Sequence, residues 1–411
     1  MRINYQLAFN PVGQGLFYSG QIITNDSEFN FIYDCGAKRK IPLEKAIKEY
    51  CNTNKGIDLL VLSHLHSDHI NGLEQLLNKY SYIPSCVVIP YLTPMERLII
   101  HWSTIRPSKW FIEFISDPVR YLINRGVEEV ICVTSSSGET VNGRLTEFEG
   151  LNPDLTGIQF ERLNKEPFDR KEQISKEEYS WDSKIQDHLY LVKSGSVISC
   201  CYGMWFFKFY NEPLTSPILS LLKENLREIG MEHPSNQNLV DVFKRGSRGN
   251  PLAKAFRQVF GDDKLNLTSL LMFHGPSDGL RCGCNNLSQN MIRTNDLTLD
   301  KPSKIKNQFL HLLTGDFDFK QVSNEFYSKH GPLLEDVSVV SLPHHGSDEN
   351  WTEEIISAMP NVESLVASFG TYNTYKHPGL NLQKYIKTTN HSYIECNEIN
   401  NKIAFDGRIC W

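Results

Sequence analysis

The chain has 411 residues, enough to bury a large core as one elaborated domain or as two smaller ones. Apolar residues make up 40% and charged residues 22%, a balance that excludes a disordered or fibrous chain. The net charge of -6 gives no global attraction to nucleic acid, so any such contact must come from a local basic patch.

No apolar run approaches the ~20 residues that span a bilayer. The opening stretch, MRINYQLAFNPVGQG, lacks the apolar core of a secretion signal. Of the ten cysteines, Cys35, Cys86, Cys132, Cys200 and Cys201 fall in apolar, strand-like runs. They read as buried reduced thiols and not as a disulfide framework, which suits a cytoplasmic protein with no membrane span.

In chain order, INYQLAFN, LFYSGQIIT and FNFIYD alternate as three strands between residues 3 and 34. Gly13 and Gly15 suit a tight connection between the first two. A phosphate-cradling loop would need a following Lys-Ser/Thr and a helix, and a strand follows instead. Residues 40–52 read as a helix. Next comes IDLLVLSHLHSDHINGLEQLLNKY, residues 57–80. Leu59–Leu62 is a short buried strand that ends at Ser63, and Ile70, Leu73, Leu76 and Leu77 then recur at helical spacing. Between them lie His64, His66, Asp68 and His69. On an extended exit, residues two apart point the same way, so His64 and His66 can grip one metal ion. Asp68 and His69, at the turn into the helix, can address a second ion. Polar residues filling a loop and capping a helix are the plain alternative. Three imidazoles and a carboxylate within six residues single out a metal site instead.

Cys86–Pro90 is the next strand. Residues 93–130 are helical and aromatic-rich and read as an insertion; His101, between Ile100 and Trp102, reads as a packed or surface histidine. Val130–Thr134 returns to strand. Residues 161–190 carry mixed charges and few apolar groups, as in a solvated loop insertion. Ser196–Cys201 and Met204–Tyr210 are strands. Residues 217–260 read as a second helical insertion with Lys244, Arg245, Arg248, Lys254 and Arg257, which form either a solvated basic face or a contact for a nucleic-acid backbone. Leu267–Phe273 and Phe309–Thr314 are two more strands, and Cys282 and Cys284 between them are too few for a zinc site. Three strand ends then carry polar groups: Gly315-Asp316, Pro343-His344-His345-Gly346-Ser347 after Val337–Leu342, and Asn373 to Pro378 after Leu365–Gly370.

Taken together, VGQG, DCG, HLHSDH, LLTGD, PHHGS and SFGTYNTYKHP resemble the motifs of the metallo-β-lactamase fold. They look most like its ComEC-type branch, the hydrolase domain of DNA-uptake proteins and its stand-alone relatives, which include a phosphorylcholine esterase. The membrane-channel segments of the uptake proteins are absent, so DNA import is not implied. The resemblance implies an α/β fold, an αββα sandwich with helical insertions, over residues 1–411 as a single domain. It also implies that Asp316 bridges two metals, that one of His344 and His345 is a ligand, and that Asp34 orients a ligating histidine from behind. Ser347 and Asn373 are expected to support the ligands in the same way. The fold's third ligand to the first metal has no clear counterpart; His274 or Asn211 (or Tyr210) is the candidate.

The expected cofactors are two divalent ions per chain, Zn²⁺ or Mn²⁺, roughly 3.5–4 Å apart and holding a bridging hydroxide. Asp68 and Asp316 are the expected catalytic carboxylates. His377, with Lys376 beside it, is expected either to bind a phosphate oxygen, to protonate the leaving group, or to be structural ahead of Pro378. The first expectation for function is a phosphodiesterase acting on nucleic acid, a nuclease. The alternatives are hydrolysis of a small phosphodiester, such as a cyclic nucleotide or a choline phosphate ester, and a partner-activated effector of a bacterial defence system. The sequence carries no signal for oligomeric state.

Overall fold

The structure is a computed structural model that describes residues 2–103, 107–135, 159–160, 181, 183–212, 224, 227, 269–277, 288–293, 303–304, 309–322, 324–400 and 402–410. Its strands begin with β1 (Arg2–Phe9), β2 (Gly15–Ile23), β3 (Glu28–Ala37), β4 (Leu59–Val61), β5 (Cys86–Pro90) and β6 (Glu129–Thr134). They continue with β7 (Gln159–Phe160), β8 (Leu189–Lys193), β9 (Val197–Cys200), β10 (Trp205–Tyr210), β11 (Leu271–Pro276) and β12 (Ser288–Arg293). The last are β13 (Ser303–Lys304), β14 (Leu310–Leu313), β15 (Val337–Ser341), β16 (Ser364–Ser368), β17 (Ser392–Cys396) and β18 (Ile403–Cys410).

These strands make two sheets. One has ten strands in the order β13-β12-β18-β1-β2-β3-β4-β5-β6-β8, the other eight in the order β17-β16-β15-β14-β11-β10-β9-β7. Each is antiparallel on one side and parallel on the other. In the first sheet the parallel side runs from β3 to β8, and in the second from β14 to β17. Parallel strands bring their carboxyl ends to one edge, which is where open α/β sheets place their sites.

Three apolar cores explain the layering. Between the sheets, alternate residues of facing strands pack together, including Phe31, Tyr33, Val61, Phe207, Met272 and Val339. On the outer face of the first sheet the opposite residues, such as Ile32, Leu60 and Val87, pack under the helix Lys40–Thr53 and under Phe111, Phe114 and Leu122. On the outer face of the second, Phe273, Leu312 and Val340 pack under the helices Asn324–Glu335, Glu353–Ser357 and Leu380–Thr388. The result is the α/β sandwich with outer helices that the sequence implies.

Between residues 93 and 130 the chain forms helices Pro94–Ser103, Lys109–Ser116 and Pro118–Asn124. Two expected elements shift. The eleventh strand runs Leu271–Pro276, further along than Leu267–Phe273, because an apolar run locates a strand better than it locates the strand's ends. The helix expected from Ile70 onward is broken: a turn at Ser67–Ile70 is followed by a π-helical turn at Gln75–Lys79. At Gly72 between them, a Cβ would sit 2.5 Å from Cys35 Sγ, so the break comes where the chain touches β3.

The basic residues Lys244, Arg245, Arg248, Lys254 and Arg257 lie outside the described residues, as do Cys282, Cys284 and residues 161–180. Of residues 217–260 only Glu224 and Arg227 are described, both helical. No helix among the described residues is long and apolar enough to cross a membrane.

Candidate metal centre

The histidine loop leaves the carboxyl end of β4. His66 has an extended backbone (φ -72°, ψ 148°), and the rings of His64 and His66 stand 4.9 Å apart, as the alternating pattern requires. The turn at Ser67–Ile70 then brings His69 back to within 4.1 Å of the His64 ring. The loop is seated against β3 at Gly36, where a Cβ would lie 2.5 Å from the carbonyl oxygen of Asp68. Only glycine allows that approach, which gives the DCG motif its physical reason.

Four histidine rings surround Asp316, which follows β14 through Gly315 (φ +51°). Asp316 Oδ2 is 3.6 Å from His64 Nε2 and 3.6 Å from His344 Nε2. Asp316 Oδ1 is 3.1 Å from His69 Nε2 and 3.8 Å from His345 Nε2. The carboxylate therefore divides the site into two halves. Potential ligand atoms of His64, His66 and Asp316 lie within 4.8 Å of one another, and so do those of Asp68, His69 and His345. Both members of the His344-His345 pair face the carboxylate, each reaching it from a left-handed backbone (φ +46° and +59°).

The other side of each ring is held so that Nε2 faces inward. His69 Nδ1 donates to Asp34 Oδ2 at 2.7 Å. His345 Nδ1 donates to the Ser368 carbonyl at 2.8 Å, a group that can only accept. His344 Nδ1 donates to Asn350 Oδ1 at 2.9 Å, and Asn350 is itself oriented because its Nδ2 donates to the Asp316 carbonyl. Ser63 Oγ donates to Asp34 Oδ2 at 2.6 Å and so accepts from His64 Nδ1 at 2.9 Å. Asp34, fully buried, also accepts the Ser63 backbone N–H at 2.6 Å. One carboxylate thus sets the tautomers of two histidines.

The electrostatics follow from this packing. Burial lowers the proton affinity of His64 and His66, and takes His345 down to about 4. Burial would lower that of His69 as well, but Asp316 and Asp34 on either side hold it well above the ordinary range. Asp316 is kept ionised: burial opposes this and the surrounding histidines, His344 foremost, overcome it. The Nε2 atoms of His64, His69 and His345 and Asp316 Oδ1 are buried and make no well-angled hydrogen bond. Buried polar atoms are costly without partners, and these converge on one place from two sheets. Divalent cations would satisfy them, and the all-nitrogen-and-oxygen donor set fits such ions.

Other sequence candidates fall around this centre or away from it. The His377 ring stands 5.2 Å from His344 and 6.0 Å from His345. Asn373 braces its loop by donating to the carbonyls of Gly370 (2.6 Å) and His377 (2.9 Å) and accepting the His377 N–H (2.9 Å). Ser347 is buried and accepts the Glu349 N–H, turning the chain after the histidine pair. Lys376 is exposed, with φ +60°. The two candidates for a third ligand stand elsewhere. His274 lies between the sheets, its Nε2 3.1 Å from Tyr18 Oη, and Asn211 donates to the Val133 carbonyl. Neither joins a ligand cluster among the described residues; His344 fills that side of Asp316. Among the described residues, Lys38 approaches the centre, its Nζ 4.0 Å from Asp68 Oδ2. Lys38, Asn350 and Gln14, whose Nε2 is 3.5 Å from His377 Nδ1, were not singled out from the sequence.

Over residues 8–98 the chain matches the family model described as "Anti-Pycsar protein Apyc1". That stretch holds the histidine loop but not Asp316 or the motifs after it, and the family is not the DNA-uptake branch that the motifs resemble. No curated protein matches in sequence. Among solved structures, the chain is similar to the metallo-β-lactamase fold protein YhfI from Bacillus subtilis. The identity is 10% and the TM-score 0.37, over 99% of this chain and 100% of that one. It is also similar to ST1585, an archaeal metallo-β-lactamase superfamily protein from Sulfolobus tokodaii, at 12% identity and a TM-score of 0.22, over 64% of this chain and 96% of that one. With two facing sheets, helices outside both, and a histidine-aspartate cluster at their shared edge, the chain has the layered α/β sandwich that the resemblance to the metallo-β-lactamase fold leads one to expect.

Proposed function

We propose that the protein is a two-metal phosphodiesterase acting on a small phosphodiester. The observation that carries this reading is Asp316, whose two oxygens each face a separate pair of inward histidine nitrogens. His64, His66, His344 and Asp316 Oδ2 would hold one ion, Zn²⁺ or Mn²⁺. Asp68, His69, His345 and Asp316 Oδ1 would hold the other. When bound, such a pair of ions acts as a Lewis acid toward phosphoryl oxygens and makes water acidic enough to attack near neutral pH.

The chain's own residues orient the substrate. Burial, then the neighbouring His345 and His344, push the His377 ring down to about 4. It is neutral at pH 7, so it serves a phosphoryl oxygen as a hydrogen-bond donor better than it serves a leaving group as an acid. Lys38 places a positive charge at the lip of the same centre. The described edge of the site is aromatic, with His377, Tyr375 and Tyr372 on one loop. The basic cluster behind the nuclease expectation lies outside the described residues and adds nothing to that reading. The match to a family named for opposing Pycsar makes a cyclic nucleotide the first small ester to try. The described cysteines are free, which suits a reducing compartment such as the cytoplasm.

The test is turnover by metal-supplemented protein on 3′,5′-cyclic nucleotides, a choline phosphate ester, single- and double-stranded DNA, RNA and bis-p-nitrophenyl phosphate. The expected result is hydrolysis of bis-p-nitrophenyl phosphate and at least one small phosphodiester, abolished by a chelator. Cleavage of DNA or RNA alone would restore the nuclease reading. Hydrolysis of none of these would refute the phosphodiesterase.

A further inference from the structure

Five aromatic rings in the layer between the sheets form a closed circuit. Ring centroids lie 5.4 Å apart from Tyr5 to Trp205, 6.0 Å from Trp205 to His274 and 5.3 Å from His274 to His311. The circuit closes through Phe309, 5.0 Å from His311 and 5.2 Å from Tyr5. Tyr5 comes from β1 of the first sheet, and Trp205, His274 and His311 from β10, β11 and β14 of the second. All five side chains are buried. Four of them carry a polar atom with no hydrogen-bond partner: Tyr5 Oη, Trp205 Nε1, His274 Nδ1 and His311 Nε2. An interior rarely tolerates one such atom. Here four belong to one circuit of contacts.

Tyr18 decides what the two histidine nitrogens can do. Its hydroxyl stands 3.1 Å from His274 Nε2 and 2.8 Å from His311 Nδ1. Burial keeps both imidazoles neutral, with His274 down to about 3 and His311 well below the ordinary range. A neutral imidazole has one N–H and one lone pair, and a hydroxyl has one proton to give. Tyr18 therefore donates to one histidine and accepts from the other. The far nitrogens, His274 Nδ1 and His311 Nε2, are then one donor and one acceptor, whichever way the Tyr18 proton points. Trp205 Nε1 can only donate, and Tyr5 Oη can do either. Burial first, and then the Tyr5 hydroxyl, raise the proton affinity of Tyr18, so Tyr5 stands near the group that touches both histidines. We propose that the circuit is a binding site for one internal water molecule that bridges the two layers. Water accepts two hydrogen bonds and donates two. It would accept from Trp205 and from the histidine whose far nitrogen carries the proton, and donate to the bare histidine nitrogen and to Tyr5 Oη. An anion would meet the lone pair of the bare nitrogen, a cation would meet two N–H groups, and an apolar molecule would leave all four atoms unpaired. Buried waters typically make about three bonds to groups of this kind. The assignment does not depend on the reaction at the metal centre and uses none of its residues.

The test is a crystal structure of the full chain at a resolution that shows ordered water, with a second crystal soaked in bromide. The expected result is one isolated density peak within about 3.2 Å of at least three of the four atoms, with no bromide signal there. Bromide at that position would overturn the proposal in favour of an anion site. So would four atoms found paired with one another, or no peak among them. Nitrogen-15 NMR of the histidines at pH 7 tests the donor count without any substitution. Because Tyr18 faces Nε2 of one ring and Nδ1 of the other, donating to one and accepting from the other requires the same tautomer in both. His274 and His311 should therefore both be neutral, and both carry the proton on Nε2 or both on Nδ1. Opposite tautomers would make the far nitrogens two donors or two acceptors, and the balance that selects water would fail.

Discussion

Replacing Asp34 by Asn changes two atoms' chemistry and almost no volume, so it tests the support behind the metal centre. Asp34 lies at φ +56°, a conformation that asparagine tolerates as well as aspartate, so the backbone has no cause to move. One oxygen of the side chain remains to accept the Ser63 N–H. In place of the other comes an NH₂ group, which donates where Asp34 Oδ2 accepted from both His69 Nδ1 and Ser63 Oγ. His69 can meet that donor only by exposing the Nδ1 lone pair, which moves its proton to Nε2, the atom 3.1 Å from Asp316 Oδ1. The ring then offers the Asp68-His69-His345 cluster a proton where a ligand is needed. Loss of such a supporting contact costs 10–100-fold in metal affinity, or about 1.4–2.8 kcal/mol. The assay is competition against a chelator of known affinity, with elemental analysis to count ions. The expected result is near two ions in the wild-type protein and one tight ion in Asp34→Asn. A folded Asp34→Asn protein that binds both ions within twofold of wild-type affinity would refute the tautomer argument.

Asp316→Asn removes the one carboxylate shared by both halves, and turnover of bis-p-nitrophenyl phosphate should fall below a tenth of the wild-type rate in a protein that still folds. A higher residual rate would make Asp316 a turn residue only. Burial pushes His274 down to about 3, below the ordinary histidine value of 6.5. The unfolded chain therefore takes up a proton that the folded one refuses, and stability contributed by the neutral ring is present above pH 6.5 and lost as pH falls toward 3. The slope for one histidine is at most about 1.4 kcal/mol per pH unit, so the urea midpoint should drop between pH 7 and 5 and drop less in His274→Gln. Identical pH slopes for the two proteins would contradict this assignment.

The histidine loop was legible because His64, His66, Asp68 and His69 are neighbours in sequence and follow a strand. Asp316, His344 and His345 were legible only through the family resemblance, since nothing local links three separate strand ends. Lys38 escaped notice for a related reason: its nearness to Asp68 depends on Gly36 letting the histidine loop rest on β3. His274 was a candidate ligand because it stands near a strand end, yet alternation along β11 already assigns it a face. It shares parity with Met272, which points between the sheets, while Leu271 and Phe273 point outward. Neither the broken helix after Ile70 nor the inward turn of the His344 ring can be read from periodicity, because each is set by a side-chain contact outside the repeat, with Cys35 in one case and Asn350 in the other.

Apolar packing between two sheets resists separation but does little to stop one layer sliding over the other. Here two phenols cross that greasy layer. Tyr18, on β2, bonds His274 at 3.1 Å and His311 at 2.8 Å, and Tyr33, on β3, donates to the Leu270 carbonyl at 2.6 Å. All of these partners belong to the opposite layer. Because His64, His66 and His69 ride on one layer and Asp316, His344 and His345 on the other, any slip would pull the two halves of the ligand set out of alignment. The tyrosines act as dowels. They stand apart from both half-sites, yet they tie together the two layers that carry them.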